Sequence, residues 1–97
     1  MKWEIENFQK LIDRYNLFLY GGGQSAEFIE TTKTRFEDFK KEGFKDKRYN
    51  VIKGIYQDAI DKIINILEDP SLFDKETLKF SLVRLNQFLG HCKELEF

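Results

Sequence analysis

Residues 16–26, NLFLYGGGQSA, decide between two folds, because such a segment can end a helix or open a nucleotide-binding loop. Gly21, Gly23 and Ala26 match G-x-G-x-x-A, the loose dinucleotide-binding pattern. A Rossmann fold also needs a second strand ending in an acid about 20 residues later. Residues 43–50, GFKDKRYN, stand there instead, and no G-K-[ST] sequence follows the glycines. The segment therefore does not carry a nucleotide-binding motif in its usual context.

The apolar residues before the glycines continue a helical pattern. Apolar side chains recur at steps of three and four residues, at Ile5, Phe8, Ile12, Tyr15 and Leu19. These steps place side chains on one face of an amphipathic helix. We therefore expect a helix over residues 3–20, with the three glycines as its end and as a turn.

Capping residues delimit two further predicted helices. Ser25 can accept a hydrogen bond from the first free amides of a second helix. Gly43 can end that helix by adopting a positive φ, with Phe44 packing back on Phe39. Asp74 can cap the last helix. The predicted apolar row of that helix is Leu78, Leu82, Leu85, Leu89 and Cys92.

The segment between these helices has the densest apolar pattern of the chain. We expect one helix from the Asp46 cap to residue 68, with Pro70 stopping it. Gly54 interrupts this helix at a cost of about 1 kcal/mol relative to alanine. Short connections favour antiparallel neighbours. The sequence thus predicts one domain over residues 1–97, an all-α antiparallel four-helix bundle.

Composition argues against an enzyme, a metalloprotein and a membrane protein. Cys92 is the only cysteine, so no internal disulfide forms and a cytoplasmic location is expected. His91 is the only histidine, and neighbouring helical residues point about 100° apart, which separates a base from the thiol. No apolar run approaches the ~18 residues typical of a membrane span. We expect no metal, no cofactor and no catalysis.

Paired carboxylates are a further candidate for catalysis. Glu4 with Glu6 and Asp58 with Asp61 are close in sequence. Acid–base chemistry needs one carboxyl group whose pKa is raised by burial. We expect these acids on solvated faces, where that shift does not arise.

Charge is unevenly distributed although the net charge is −1. Residues 33–53 contain eight basic and four acidic residues, whereas residues 54–76 contain six acidic residues and two lysines. The basic segment interleaves its cations with Phe36, Phe39 and Phe44, a pattern that nucleic-acid-binding proteins use for phosphates and bases. We expect the phenylalanines to be needed in the core, so nucleic-acid binding is the weaker alternative.

The predicted function is binding to another protein. Phe80 and Val83 point about 140–200° away from the leucine row of the last helix, so a small bundle leaves them uncovered. The predicted partner-binding residues are Asp58, Asp61, Glu68, Asp69, Phe80 and Val83. The acidity suggests a basic toxin as partner and an immunity- or antitoxin-type inhibitor as the protein class. Self-association into a homodimer is the alternative, and a solvated acidic face without a partner is the other interpretation of the acids.

Overall fold

The computed structural model describes residues 2–95, with side chains from residue 4, and this part of the chain is all-α. The helices are α1 (Lys2–Tyr20), α2 (Ala26–Glu42), α3 (Lys47–Ile55), α4 (Gln57–Glu68) and α5 (Lys75–Glu94), with a 3₁₀ turn at Pro70–Leu72. The all-α prediction is confirmed for these residues, but five helices replace the predicted four. None of these helices is long and apolar enough to cross a membrane.

The four longer helices pack in a ring. In this ring α1 contacts α2, α2 contacts α4, α4 contacts α5, and α5 contacts α1. The short helix α3 packs on α4 and α5. Helices α1 and α5 run antiparallel, since Phe8 contacts Phe88 and the Tyr15 hydroxyl lies 2.6 Å from the Ser81 hydroxyl.

The predicted third helix is divided at Tyr56. The backbone there has φ −102° and ψ 15°, and its amide is shared between the carbonyls of Ile52 and Lys53, at 3.3 and 3.1 Å. The Tyr56 ring stacks on Phe88 with centroids 5.1 Å apart. Gly54 weakens the helix just before this point, because glycine has a low helix propensity. The buried tyrosine then fixes the position of the break.

The triple glycine ends α1, as predicted. The amides of Gly21 and Gly23 both donate to the Leu17 carbonyl, at 2.9 and 3.0 Å, and Gly22 has φ 87°. The Gln24 side chain donates to the carbonyl of Phe18. Leu17 and Phe18 therefore belong to the last turn of α1, and the described residues before the glycines are helical.

The predicted caps of the other helices are present. Ser25 Oγ accepts from the Phe28 amide at 3.1 Å, and Asp74 Oδ1 accepts from the Thr77 amide at 2.8 Å. Asp46 Oδ1 accepts from the amide two residues on, at 2.9 Å. These side chains satisfy amides that have no partner inside the helix.

Gly43 ends α2 with a positive φ of 69°, although its ψ of −153° is extended and not left-handed helical. Its amide donates to the Phe39 carbonyl at 2.8 Å. The ring of Phe44 then meets the ring of Phe39 edge-on, with centroids 5.1 Å apart, as predicted. This connection turns the chain from α2 into α3.

Aromatic rings fill one end of the core. Phe8 stacks on Phe39 at 5.3 Å between centroids and lies 4.5 Å from Phe88. Phe88 is fully buried, although the predicted row of α5 omitted it. The buried residues of α5 are Ser81, Leu85, Phe88, Leu89 and Cys92. The predicted Leu78 and Leu82 are only partly buried, so the inner face of α5 is rotated from the expected one.

Candidate functional site

Two of the four predicted partner-binding acids pair with lysines of α2. The Lys40 ammonium lies 2.6 Å from an Asp61 oxygen, and the Lys33 ammonium lies 3.6 Å from a Glu68 oxygen. Because α2 and α4 run antiparallel, the basic half of α2 lies beside the acidic side of α4. The charge asymmetry of the sequence is thus partly neutralised within the molecule.

The other two acids remain on the surface. Asp58 is exposed on α4. Asp69 follows the end of α4, is exposed, and accepts a hydrogen bond from the Ser71 hydroxyl at 2.6 Å. Glu68 also keeps most of its accessibility, with 64% of its side chain exposed despite the lysine nearby. A reduced acidic surface is therefore available at the end of α4.

Phe80 and Val83 lie on the outer face of α5, as predicted. Phe80 is 62% exposed and Val83 is 47% exposed, whereas Ser81 and Leu85 on the opposite side are buried. Residues three apart on a helix are neighbours on its surface. We call Phe80 and Val83 the α5 outer face. They form an uncovered apolar pair on a helix whose other side builds the core.

The six predicted residues are not gathered on one flank. Asp61 and Glu68 face α2, while Phe80 and Val83 lie on α5. The rings of Phe39 on α2 and Phe88 on α5 meet in the core, 6.1 Å apart, but on the surface α1 and α4 lie between these two helices. Asp61 and Glu68 therefore lie on a different part of the surface from the α5 outer face.

Of the four aromatic rings in the basic segment, three are buried and Phe39 is partly buried against the core. Phe36 and Tyr49 are fully buried and Phe44 is 7% exposed, because all three belong to the core. Lys53 is also engaged, since its ammonium donates to the Lys40 carbonyl at 2.7 Å. These contacts assign the aromatic residues of the segment to folding.

His91 and Cys92 point to different surroundings, as the sequence predicted. Cys92 is fully buried, and burial raises the pKa of its thiol to about 11. His91 is exposed, and its Nδ1 lies 3.0 Å from the Tyr56 hydroxyl. Among the residues described, no three His, Cys, Asp or Glu side chains are grouped so as to hold a metal ion.

A cavity of about 480 Å³ between α1 and the end of α2 was not predicted from the sequence. Glu4 lines it and is only 6% exposed, so the expectation that Glu4 lies on a solvated face is wrong. A signal was present, because Glu4 precedes Phe8 and Leu11 by four and seven residues and so shares their helical face.

Comparisons with protein-family models, with curated proteins and with solved structures each found no match. Functional proposals for this chain therefore depend on its own surfaces and cavities.

Proposed function

We propose that this protein is a non-catalytic module that binds another protein through the α5 outer face. The observation that carries the proposal is the 62% exposure of Phe80. Fully burying a side chain of this size against a partner contributes about 1.5–3 kcal/mol. Aromatic residues of this kind are common among the residues that dominate binding energy at interfaces. Val83 lies about one helical turn further along α5 and extends the contact.

The ring of α1, α2, α4 and α5 serves in this proposal as a four-helix scaffold. It presents α5 as a rigid element, since the inner face of that helix is held by Leu85 and Phe88. A rigid binding face loses little conformational entropy on association. The scaffold therefore favours binding without rearrangement of the backbone.

The chemistry of the partner follows from the acids that remain exposed. Asp58, Glu68 and Asp69 give the surface of α4, the neighbour of α5 in the ring, a negative character. Charge complementarity accelerates encounter and selects partners. We infer that the partner is a basic protein. An immunity- or antitoxin-type inhibitor of a basic toxin is the specific form of this proposal.

The test is affinity capture from an extract of the native host, followed by mass spectrometry. The variant Phe80→Asp with Val83→Asp should lose the captured partner and keep its helical circular dichroism. The matched control, Asn16→Asp with Thr34→Asp, adds two acids at exposed positions on α1 and α2 and should retain the partner. Equal capture by both variants would contradict the proposed surface.

Self-association through the same face is decided by sedimentation equilibrium. The proposal expects the mass of one 11.6 kDa chain at micromolar concentration. A dimer that Phe80→Asp with Val83→Asp converts into a monomer would instead identify the occupant of the face as a second copy of the chain.

A further inference from the structure

Helix α3 lies outside the ring of the four longer helices and presents a second apolar surface. Its inner side is held by Tyr49, which is fully buried, and by Ile52, which is partly buried against the core. Val51 and Ile55 lie away from this side and are 70% and 61% exposed. They are four residues apart, so they are neighbours on the helix surface. An aliphatic pair is therefore uncovered on α3.

Cations share the outward side of α3 with this aliphatic pair. Lys47 and Arg48 are the first two residues of the helix, and both are exposed. Lys47 precedes Val51 by four residues and Arg48 precedes Ile55 by seven, which are about one and two helical turns. We call Lys47, Arg48, Val51 and Ile55 the α3 outer face. Its cations lie at the start of the helix and its aliphatic side chains lie towards the end.

The charge around the α3 outer face is positive. Residues 45–55 contain four basic residues and one acid, Asp46, which gives a net charge of +3 in a chain of net charge −1. The Asp46 Oδ2 lies 2.7 Å from the Arg48 Nη2, so the one acid is paired with a cation of the same segment. Residues 47–57 contain no acid. An anionic partner is therefore complementary to this segment.

An anionic lipid surface matches both the charge and the exposed aliphatic side chains. Acidic lipid headgroups attract lysine and arginine. A helix at the membrane interface places its apolar side chains at the boundary with the acyl chains and its cations among the headgroups. A nucleic acid matches the charge alone, because its bases are bound by aromatic rings. The rings of Phe44 and Tyr49 are buried in the core.

We propose that the α3 outer face binds the surface of an anionic membrane. Val51 and Ile55 enter the boundary between headgroups and acyl chains, and Lys47 and Arg48 contact the acidic headgroups. The contact is peripheral and requires no helix that spans the bilayer. So small a surface binds weakly and reversibly. This inference concerns a different helix from the α5 outer face and does not depend on the protein-binding proposal.

The test is sedimentation of the full chain with lipid vesicles. The probe is a vesicle of phosphatidylserine and phosphatidylcholine in equal parts, and the control is a vesicle of phosphatidylcholine alone. The chain should sediment with the anionic vesicles at low salt and stay in solution with the neutral ones. Added salt should weaken binding, because it screens the cations. No sedimentation with the anionic vesicles, or equal sedimentation with both, overturns the proposal.

A pair of variants tests the aliphatic side chains. Val51→Ser with Ile55→Ser keeps the charge and should weaken binding to the anionic vesicles roughly tenfold or more, because it removes the inserted apolar area. Leu72→Ser is the matched control, since Leu72 is 74% exposed in the turn before α5. The control should bind as the unmodified chain does. Equal weakening by the two variants contradicts the proposed surface.

A second pair of variants tests the cations. Lys47→Gln should weaken binding to the anionic vesicles roughly fivefold, because it removes one cation from the contact. Lys10→Gln removes the same charge from an exposed position on α1 and should leave binding unchanged. Equal weakening by both would show a response to net charge alone and would overturn the site.

Spin-labelled phosphatidylserine in bicelles locates the contact on the unmodified chain, whether or not the variants fold. Amide NMR signals should broaden most at Val51 and Ile55. Broadening centred on another helix overturns the proposal.

A single-stranded DNA oligonucleotide distinguishes a lipid surface from a nucleic acid. The lipid proposal expects the unmodified chain to bind the oligonucleotide more weakly than the anionic vesicles at the same salt concentration. Tighter binding to the oligonucleotide, retained by Val51→Ser with Ile55→Ser, would assign the basic segment to a nucleic acid and overturn the lipid assignment.

Discussion

The α2-facing side of α4 and the α5 outer face were both predicted as partner surfaces. In the structure the first pairs with another helix of the same chain, and the second stays exposed. Asp61 and Glu68 meet Lys40 and Lys33 of the same chain. Phe80 remains 62% exposed. An acidic surface can be neutralised by a neighbouring helix without being buried. Phe80 and Val83 have no such partner within the part of the chain that the structure describes, so they are the stronger indicator of an external one.

The spacing of the charges explains the internal pairing. Lys33 and Lys40 are seven residues apart, and so are Asp61 and Glu68. Seven residues make about two turns of an α-helix. In antiparallel helices, equal spacing lets both pairs form at once. The basic and acidic segments of the sequence are thus complementary to each other.

The largest expected effect is a difference in the free energy of unfolding between substitutions on the inner and outer faces of α5. Phe88→Ala should lower the free energy of unfolding by about 3–5 kcal/mol, because it removes a fully buried ring from the aromatic end of the core. Phe80→Ala on the α5 outer face should change it by less than about 0.5 kcal/mol. Urea unfolding of the two variants measures both values. Similar losses would show that Phe80 belongs to the core.

The next effect concerns the turn that sets α2 against the helices after it. Gly43→Ala should destabilise the protein by about 1–3 kcal/mol, because a side chain at positive φ is strained. Its Cβ would also collide with Asn50 Oδ1, which accepts from the Phe44 amide. Gly54→Ala is the matched control, since a Cβ there meets open space. The control should raise the free energy of unfolding by up to about 1 kcal/mol. The same sign for both variants would contradict this account.

A pH titration tests the inner face of α5. Burial raises the pKa of Tyr15 to about 12, against 10.0 for the free phenol, and its hydroxyl pairs with Ser81. Because the folded state favours the neutral phenol, this stabilisation is complete below pH 10 and is lost as the pH rises through 12. Tyr15→Phe should reduce the alkaline loss and cost about 1 kcal/mol at neutral pH. An unchanged alkaline profile in this variant would assign the loss to other groups.

The smallest effect is expected at the α2-facing side of α4, where Asp61 and Glu68 pair with lysines of α2. Lys33→Ala with Lys40→Ala should lower stability by no more than about 1 kcal/mol per pair, because these ion pairs are partly solvated. The double variant should also bind a basic partner faster, since Asp61 and Glu68 lose their internal cations. Stopped-flow association at two salt concentrations measures the rate. A lower association rate for the double variant would contradict the claim that Lys33 and Lys40 neutralise the acids of α4.

Local signals predicted the helix ends. The glycines after Tyr20, the cap at Ser25 and the cap at Asp74 are each decided within a few residues by backbone hydrogen bonding. The break at Tyr56 was missed although Gly54 was noted as a weak point. Its position depends on the stacking of Tyr56 on Phe88, a contact between distant parts of the chain.

The candidate sites depended more strongly on tertiary structure. The exposure of Phe80 was predicted because helical periodicity alone places it opposite the core. The pairing of Asp61 with Lys40 was not predicted, because periodicity does not show which helices become neighbours. The burial of Glu4 was missed since charge was taken to mean exposure. The signal for its burial was that Glu4 occupies the same helical face as Phe8 and Leu11.

The contact between Phe8 and Phe88 also sets the order of assembly during synthesis. The two rings are 80 residues apart in sequence, so the segment between them must be made before they can meet. Closing so long a loop has an entropic cost that grows with its length. Helices α1 to α4 can collapse earlier, but the aromatic end stays open. The faces of Phe8, Phe39 and Phe44 that pack on Phe88 therefore stay uncovered in the newly made chain until α5 has left the ribosome.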